Sequence, residues 1–165
     1  MATIYHQIAI LVPAQRVYEA LSSAEGISTW WDKQTPVQTD QGLVLEHDPG
    51  PKHGVVRFRV VKLIPSQYVE WECISRHSAE SPASAWTGTH FTFEISERES
   101  AASTAERDCA ANPKDIKHIT TVDFRQSGYD AESKFAGFNN FAWGQVLNSL
   151  KGVCESRNAV STRGA

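Results

Sequence analysis

The sequence has no basic run, no long apolar run and no closely spaced cysteine pair, and each gap closes off a class of function. Lysine and arginine number 16 against 19 acidic residues, with both signs scattered, so the electrostatic footprint of a nucleic-acid binder is missing. No stretch approaches the ~18 apolar residues that a membrane span needs. The amino terminus, Met-Ala-Thr-Ile-Tyr-His-Gln, has no basic segment leading into an apolar one, which argues against a secretory signal and for a cytoplasmic protein. The three cysteines, Cys73, Cys109 and Cys154, are an odd and widely separated set without CxxC or Cys/His ligand spacing. They read as reduced thiols, with Cys109, in a polar stretch, the most exposed of them. Phosphate-cradling, dinucleotide-binding, zinc-hydrolase and Ser/His/Asp signatures are absent too. Neither a cofactor nor a metal is expected.

What remains is a 165-residue chain, 41 % apolar and 21 % charged, with a net charge of −3. That composition suits one globular domain, expected over residues 1–155, with 156–165 as a flexible tail. Thr3 to Val12 alternates as a strand, with Ile4, His6, Ile8, Ile10 and Val12 on one face. Pro13 ends it and suits the start of a helix carrying Val17, Tyr18, Ala20 and Leu21. Ser22 to Gly26 interrupts, and a second short helix is expected over Ile27 to Trp31. Strand and turn signals follow: Gly42 to His47, a Pro/Gly-rich loop over 47–54, Val55 to Ile64, and Tyr68 to Ile74. Arg76 to Ala85 reads as a loop. Thr87 to Ser96 then alternates, with Thr89, Phe91, Phe93 and Ile95 on one face.

Glu97 to Asp115 is polar and reads as a long connection. Ile116 to Gln126 is the next strand, and Ser127-Gly128 the next turn. Asp130 is expected to cap a long helix in which Phe135, Phe138, Ala142, Leu147, Leu150 and Cys154 recur at helical spacing. Adding Phe141, Trp143, Val146 and Val153 makes an apolar face wide enough to be gripped from two sides. The order is one strand, two short helices, about six strands and one long helix. Without αβ alternation, the fold class is α+β, with an antiparallel sheet and segregated helices.

Four stretches resemble a known family. Val12 to Leu21, running on to Trp30-Trp31, is similar to the "APxxxVWxAxT…WW" opening of the SRPBCC (START-like, helix-grip) superfamily. Within it, the likeness is greatest to the group related to the activator of the heat-shock-protein-90 ATPase. Gly54 to Pro65 with Tyr68 to Trp71 resembles the family's strand, Pro-turn, strand. Thr121 to Tyr129 resembles its entry to the last helix, and Trp143 to Leu150 its "W-x3-L-x2-L" signature, with Ala142 where Gly is usual. The resemblance implies a helix-grip fold, a sheet of six or seven strands bent around the last helix. It does not imply a reaction, because such folds include carriers, polyketide cyclases and a chaperone activator.

A sheet curved around a helix leaves an apolar hollow unless side chains fill it. Candidate lining residues are Ile8, Ile10, Phe58, Trp71, Phe91, Phe93, Phe124, Phe138, Phe141 and Trp143, with Asn139 as a polar member. The alternative is that these side chains pack on one another as core. His6, on the presumed concave face, is the one weak catalytic candidate. His47, Asp48 and His53 read as a solvated loop without metal-ligand spacing. Glu70/Glu72 and Asp123/Arg125 read as surface ladders. Three functions stay open: binding a small hydrophobic molecule, cyclase- or hydrolase-like catalysis using His6, and a chaperone-interaction module. Monomer and homodimer are both open.

Overall fold

The computed structural model describes residues 1–100 and 117–161, with backbone only for residues 100, 117 and 157–161. Seven strands, β1 (Ala2–Ile10), β2 (Thr35–Thr39), β3 (Gly42–His47), β4 (Val56–Ile64), β5 (Tyr68–Cys73), β6 (His90–Ser100) and β7 (Lys117–Tyr129), form one curved sheet. Its order is β1-β7-β6-β5-β4-β3-β2, and every neighbouring pair is antiparallel. The helices α1 (Ala14–Leu21) and α2 (Ala24–Ile27) carry the chain from β1 at one edge to β2 at the other. A 3-10 turn spans Pro82–Trp86, and the long α3 covers Ala136–Ser161.

Alternation decides which side chains enter the core. Val69, Trp71 and Cys73 of β5, Phe91, Phe93 and Ile95 of β6, and Val122 and Phe124 of β7 are buried. They meet Trp143, Leu147, Leu150 and Cys154 of α3 and Val17, Ala20 and Leu21 of α1 in one cluster. The opposite face carries a polar ladder: the ion pairs Arg57–Glu46, Arg59–Glu72 and Arg125–Glu94, with His90 Nδ1 bonded to Glu70. Gly26 lets α2 fold back on α1, because a Cβ there would lie 2.2 Å from the Glu19 carbonyl oxygen.

Both sheet edges are blocked. Lys151 Nζ of α3 donates to the Ala9 carbonyl of β1 at 2.6 Å, and Glu155 Oε1 accepts the Leu11 N–H at 3.0 Å. The short β2 carries Pro36, which has no N–H to offer a further strand.

Several boundaries differ from expectation. The second helix lies at Ala24–Ile27, a turn early, because Ser23 caps it through Gly26 N–H. β6 runs on to Ser100, so 97–100 is strand; the rest of the expected connection, including Cys109, lies outside the described residues. Ser127-Gly128 is not a turn. β7 passes through it to Tyr129, and Gly128 is the extra residue where the register against β1 shifts. Asp130 caps a turn by accepting Glu132 N–H, and α3 starts only at Ala136. α3 also continues to Ser161, past the expected end at about Glu155.

Candidate functional site

The concave face is aromatic at one end. Trp31, Phe58, Trp86, Phe91 and Trp143 form a five-ring group, with Trp31 5.2 Å from Trp143 and 5.8 Å from Phe58. Trp86 lies 6.1 Å from Trp31, 6.2 Å from Trp143 and 5.8 Å from Phe91. Phe124 continues the group, 4.4 Å from Trp143, and Phe93 and Trp71 extend it along the sheet. At these spacings the rings touch. The space expected to be hollow is filled by aromatic side chains.

Their polar edges are another matter. Trp30 Nε1 donates to the Ala20 carbonyl at 2.7 Å, as a buried indole should. Nε1 of Trp71, Trp86 and Trp143 is buried without a partner among the described residues. So are Oε1 of Gln126 and Oδ1 of Asn139, whose amide nitrogens are bonded to Thr89 Oγ1 and to Tyr129 Oη. Three indole donors and two amide acceptors thus lie buried and unpaired among the described residues, on side chains of the concave side. Most buried polar groups in proteins are paired, so this concentration is unusual.

His47 stands where the ring cluster meets the surface. Its ring stacks on Phe58 at 5.8 Å and lies 5.0 Å from Trp31. The residue is 4 % exposed, which corrects the expectation of a solvated loop: β3 ends on His47 and its parity turns the ring inward. Burial pulls its pKa down to about 4, against the opposing pull of Asp32 and Asp48, so the ring is neutral at pH 7. On the outer side lies a cleft of about 470 Å³, lined by Asp32, Lys33, Thr35, Glu46, His47 and Asp48 among others. A second cleft, of about 430 Å³, lies between His77, Thr87, Asp130 and Lys134.

No protein-family model matches the chain. A search of curated proteins found no match either. Solved structures do match. The Aha1 dimer from Colwellia psychrerythraea is 26 % identical, covers 94 % of this chain and 97 % of its own, and superposes with a TM-score of 0.64. Protein MLL2253 from Mesorhizobium loti is 19 % identical over 92 % of this chain and 96 % of its own, with a TM-score of 0.62. CalU16 from Micromonospora echinospora is only 8 % identical over 95 % of this chain and 78 % of its own, with a TM-score of 0.57.

The fold is the helix-grip fold. The Colwellia likeness, at 26 % identity, also supports the SRPBCC superfamily as its setting, whereas the other two show the fold alone.

Within the helix grip, Ile10, Phe58, Trp71, Phe91, Phe93, Phe124, Asn139 and Trp143 are buried on the concave side, and Ile8 is partly buried against them. Phe138 and Phe141 do not join them. They are 60 % and 67 % exposed, because the buried stripe of α3 runs Asn139, Trp143, Leu147, Leu150 and turns these two outward. His6 donates from Nε2 to the Asn140 carbonyl at 3.1 Å and packs beside Gly144. It braces β1 against α3, and this bond is not a pairing with a second polar side chain.

Two Ser–His pairs come within hydrogen-bond reach: Ser81 Oγ with His53 Nδ1 at 2.9 Å, and Ser75 with His77. His77 Nδ1 lies 2.7 Å from the His53 carbonyl and so must carry the hydrogen, which leaves Nε2 to accept from Ser75 Oγ at 2.8 Å. Ser75 Oγ is already accepting Arg57 N–H, and the residue is buried, so the pair ties the β3–β4 loop to the chain after β5. Among the described residues no group of three His, Cys, Asp or Glu is placed to hold a metal. No described helix is long and apolar enough to cross a membrane.

Sequence reading missed Trp31, Trp86, His47 and Gln126. Gln126 carried a usable signal: a polar residue in phase with Val122 and Phe124 on one strand. Trp86 carried none, because the polar loop around it gives no period.

Proposed function

We propose that the chain binds a small, flat, largely apolar molecule between the concave sheet and α3, with no catalysis assumed. The carrying observation is the set of unpaired buried groups on Trp71, Trp86, Trp143, Gln126 and Asn139. Leaving such a group unsatisfied costs about 1–3 kcal/mol. A planar ligand with a hydrogen-bonding edge would relieve several of them at once. Trp31 is the ring that gives way. It is half-buried, follows α2 outside any helix or strand, and its indole touches Trp30, His47, Phe58, Trp86 and Trp143. Swinging it outward frees one indole's worth of space inside the cluster.

The test is thermal unfolding with a panel of naphthalenes, polycyclic phenols and fatty acids. A ligand of the native state stabilises it by RT ln(1 + [L]/Kd). Aromatic members should raise Tm, and Trp31→Ala should strengthen their binding by opening the cluster. A panel that shifts neither the native protein nor Trp31→Ala removes this reading.

A second reading is a protein-interaction module, placed in the group of the chaperone-ATPase activator. It is favoured by the 26 % identity to the Colwellia Aha1, which is a dimer, and by the two exposed phenylalanines of α3. The occupant of that face is then a second copy of this chain. Capture of the heat-shock-protein-90 chaperone on immobilised protein tests the activator part, and an empty resin would exclude it. Location in the cytoplasm belongs with either reading.

A further inference from the structure

The larger cleft adjoins the ring cluster through His47, yet its chemistry is the opposite of greasy. Glu46 is occupied by Arg57 at 2.8 Å. Asp48 Oδ1 accepts Gly50 N–H at 2.8 Å, which fixes its carboxylate at the rim. The Asp32 carboxylate and the Lys33 ammonium have no hydrogen-bond or ion-pair partner among the described residues. His47 lines the cleft and is only 4 % exposed. Neither of its ring nitrogens is hydrogen-bonded among the described residues, and Nδ1 is fully enclosed. The cleft is thus lined by a buried imidazole that has no hydrogen-bond partner among the described residues, together with the carboxylates of Asp32 and Asp48.

We propose that this cleft receives the protonated amine of the ligand, with Asp32 and Asp48 as counter-charges and a His47 ring nitrogen accepting one N–H. This rests on the ligand-binding reading above and adds the chemistry of the ligand's head. A primary ammonium has three N–H donors, which matches two carboxylates and one imidazole lone pair. His47 can offer that lone pair because burial keeps its ring neutral. A carboxylate head would meet Asp32 and Asp48 with Lys33 alone to offset them, Glu46 being held by Arg57. A hydroxyl could bond His47 but would gain nothing from the acids. Asp32 and Asp48 are exposed, so their Coulomb gain is modest and falls with added salt. The ligand class is therefore an arylalkylamine: flat apolar body inward, ammonium outward.

Calorimetric titration with three matched probes tests it: 2-(2-naphthyl)ethylamine, 2-ethylnaphthalene and 2-naphthylacetate. The amine should bind at least roughly tenfold tighter than the neutral hydrocarbon at low salt, and the acid more weakly than either. Asp32→Asn with Asp48→Asn should remove most of the amine's advantage and leave the hydrocarbon unchanged, since an amide oxygen in place of the Asp48 carboxylate still accepts the Gly50 N–H. His47→Phe preserves the stacking on Phe58 and should remove part of the amine's advantage. Equal binding of amine and hydrocarbon, or an amine advantage that the double substitution leaves undiminished, overturns the amine site and leaves the apolar site standing. No binding by any of the three, to the native protein or to Trp31→Ala, overturns both.

Discussion

The amide of Asn139 on α3 donates to the Tyr129 hydroxyl at 2.7 Å, and both residues are 1 % exposed. The same nitrogen reaches the Pro82 carbonyl at 3.3 Å. One side chain therefore ties the start of α3 to the end of β7 and to the 3-10 turn that presents Trp86. Replacing it with Ala strips a buried hydroxyl and a carbonyl of their donor. Asn139→Ala should lower the unfolding free energy by about 1–3 kcal/mol in urea titration. An unchanged midpoint would mean that the link carries no stability.

His47 makes stability fall on acidification. Its folded pKa of about 4 lies below the ordinary histidine value of 6.5, so between those values the unfolded chain binds the extra proton. The neutral-ring contribution is complete above pH 6.5 and is progressively lost as pH falls towards 4. The shift corresponds to at most about 3 kcal/mol. His47→Phe cannot take up that proton. Urea midpoints measured from pH 7 to pH 4 should therefore fall more steeply for the native protein than for His47→Phe. Parallel profiles would contradict a buried neutral imidazole.

Helix α1 is capped from a distance. Its N-cap is Pro13, whose side chain offers no acceptor, and the Ala14 N–H is taken instead by Glu97 Oε2 of β6 at 2.8 Å. That bond, followed by the one from His118, holds the Glu97 carboxyl below its usual range. Its contribution is present above the unfolded pKa of 4.5 and is lost as pH falls through the lower folded value. Glu97→Ala should cost about 1 kcal/mol at pH 7, and Glu97→Gln less, since an amide oxygen can still accept. Denaturant titration at pH 7 reads both; an Ala variant as stable as the native protein would show that water caps α1 equally well.

Alternation made the central strands legible. Phe91, Phe93 and Ile95 of β6 and Val69, Trp71 and Cys73 of β5 are buried as their period of two requires. Elements fixed by long-range partners were harder to read. Glu97 looks like the start of a polar loop, yet it belongs to a strand because β7 pairs with it and α1 needs its carboxylate. Ser127-Gly128 has turn chemistry, but the glycine is used for a bulge. The site was half legible. Apolar lining residues follow from parity, whereas Trp31 and Trp86 sit in irregular chain where no period exists. His47 was obscured by its Pro- and Gly-rich surroundings, although it is the last residue of a strand and faces inward.

Phe138 and Phe141 show where a helical apolar period misleads. Added to the true buried stripe, they make α3 look gripped on two sides, yet they project from the opposite side of Asn139 and Trp143. Exposed aromatic side chains three residues apart on one helix form a continuous patch. Replacing both with Ser removes no core packing, so the unfolding free energy should change by less than about 0.5 kcal/mol. If the patch joins two copies of the chain, light scattering should report a dimer for the native protein and a monomer for Phe138→Ser/Phe141→Ser. A native protein that is monomeric at the highest soluble concentration would leave the patch without that role. A double variant that stays dimeric would place the interface elsewhere on the molecule.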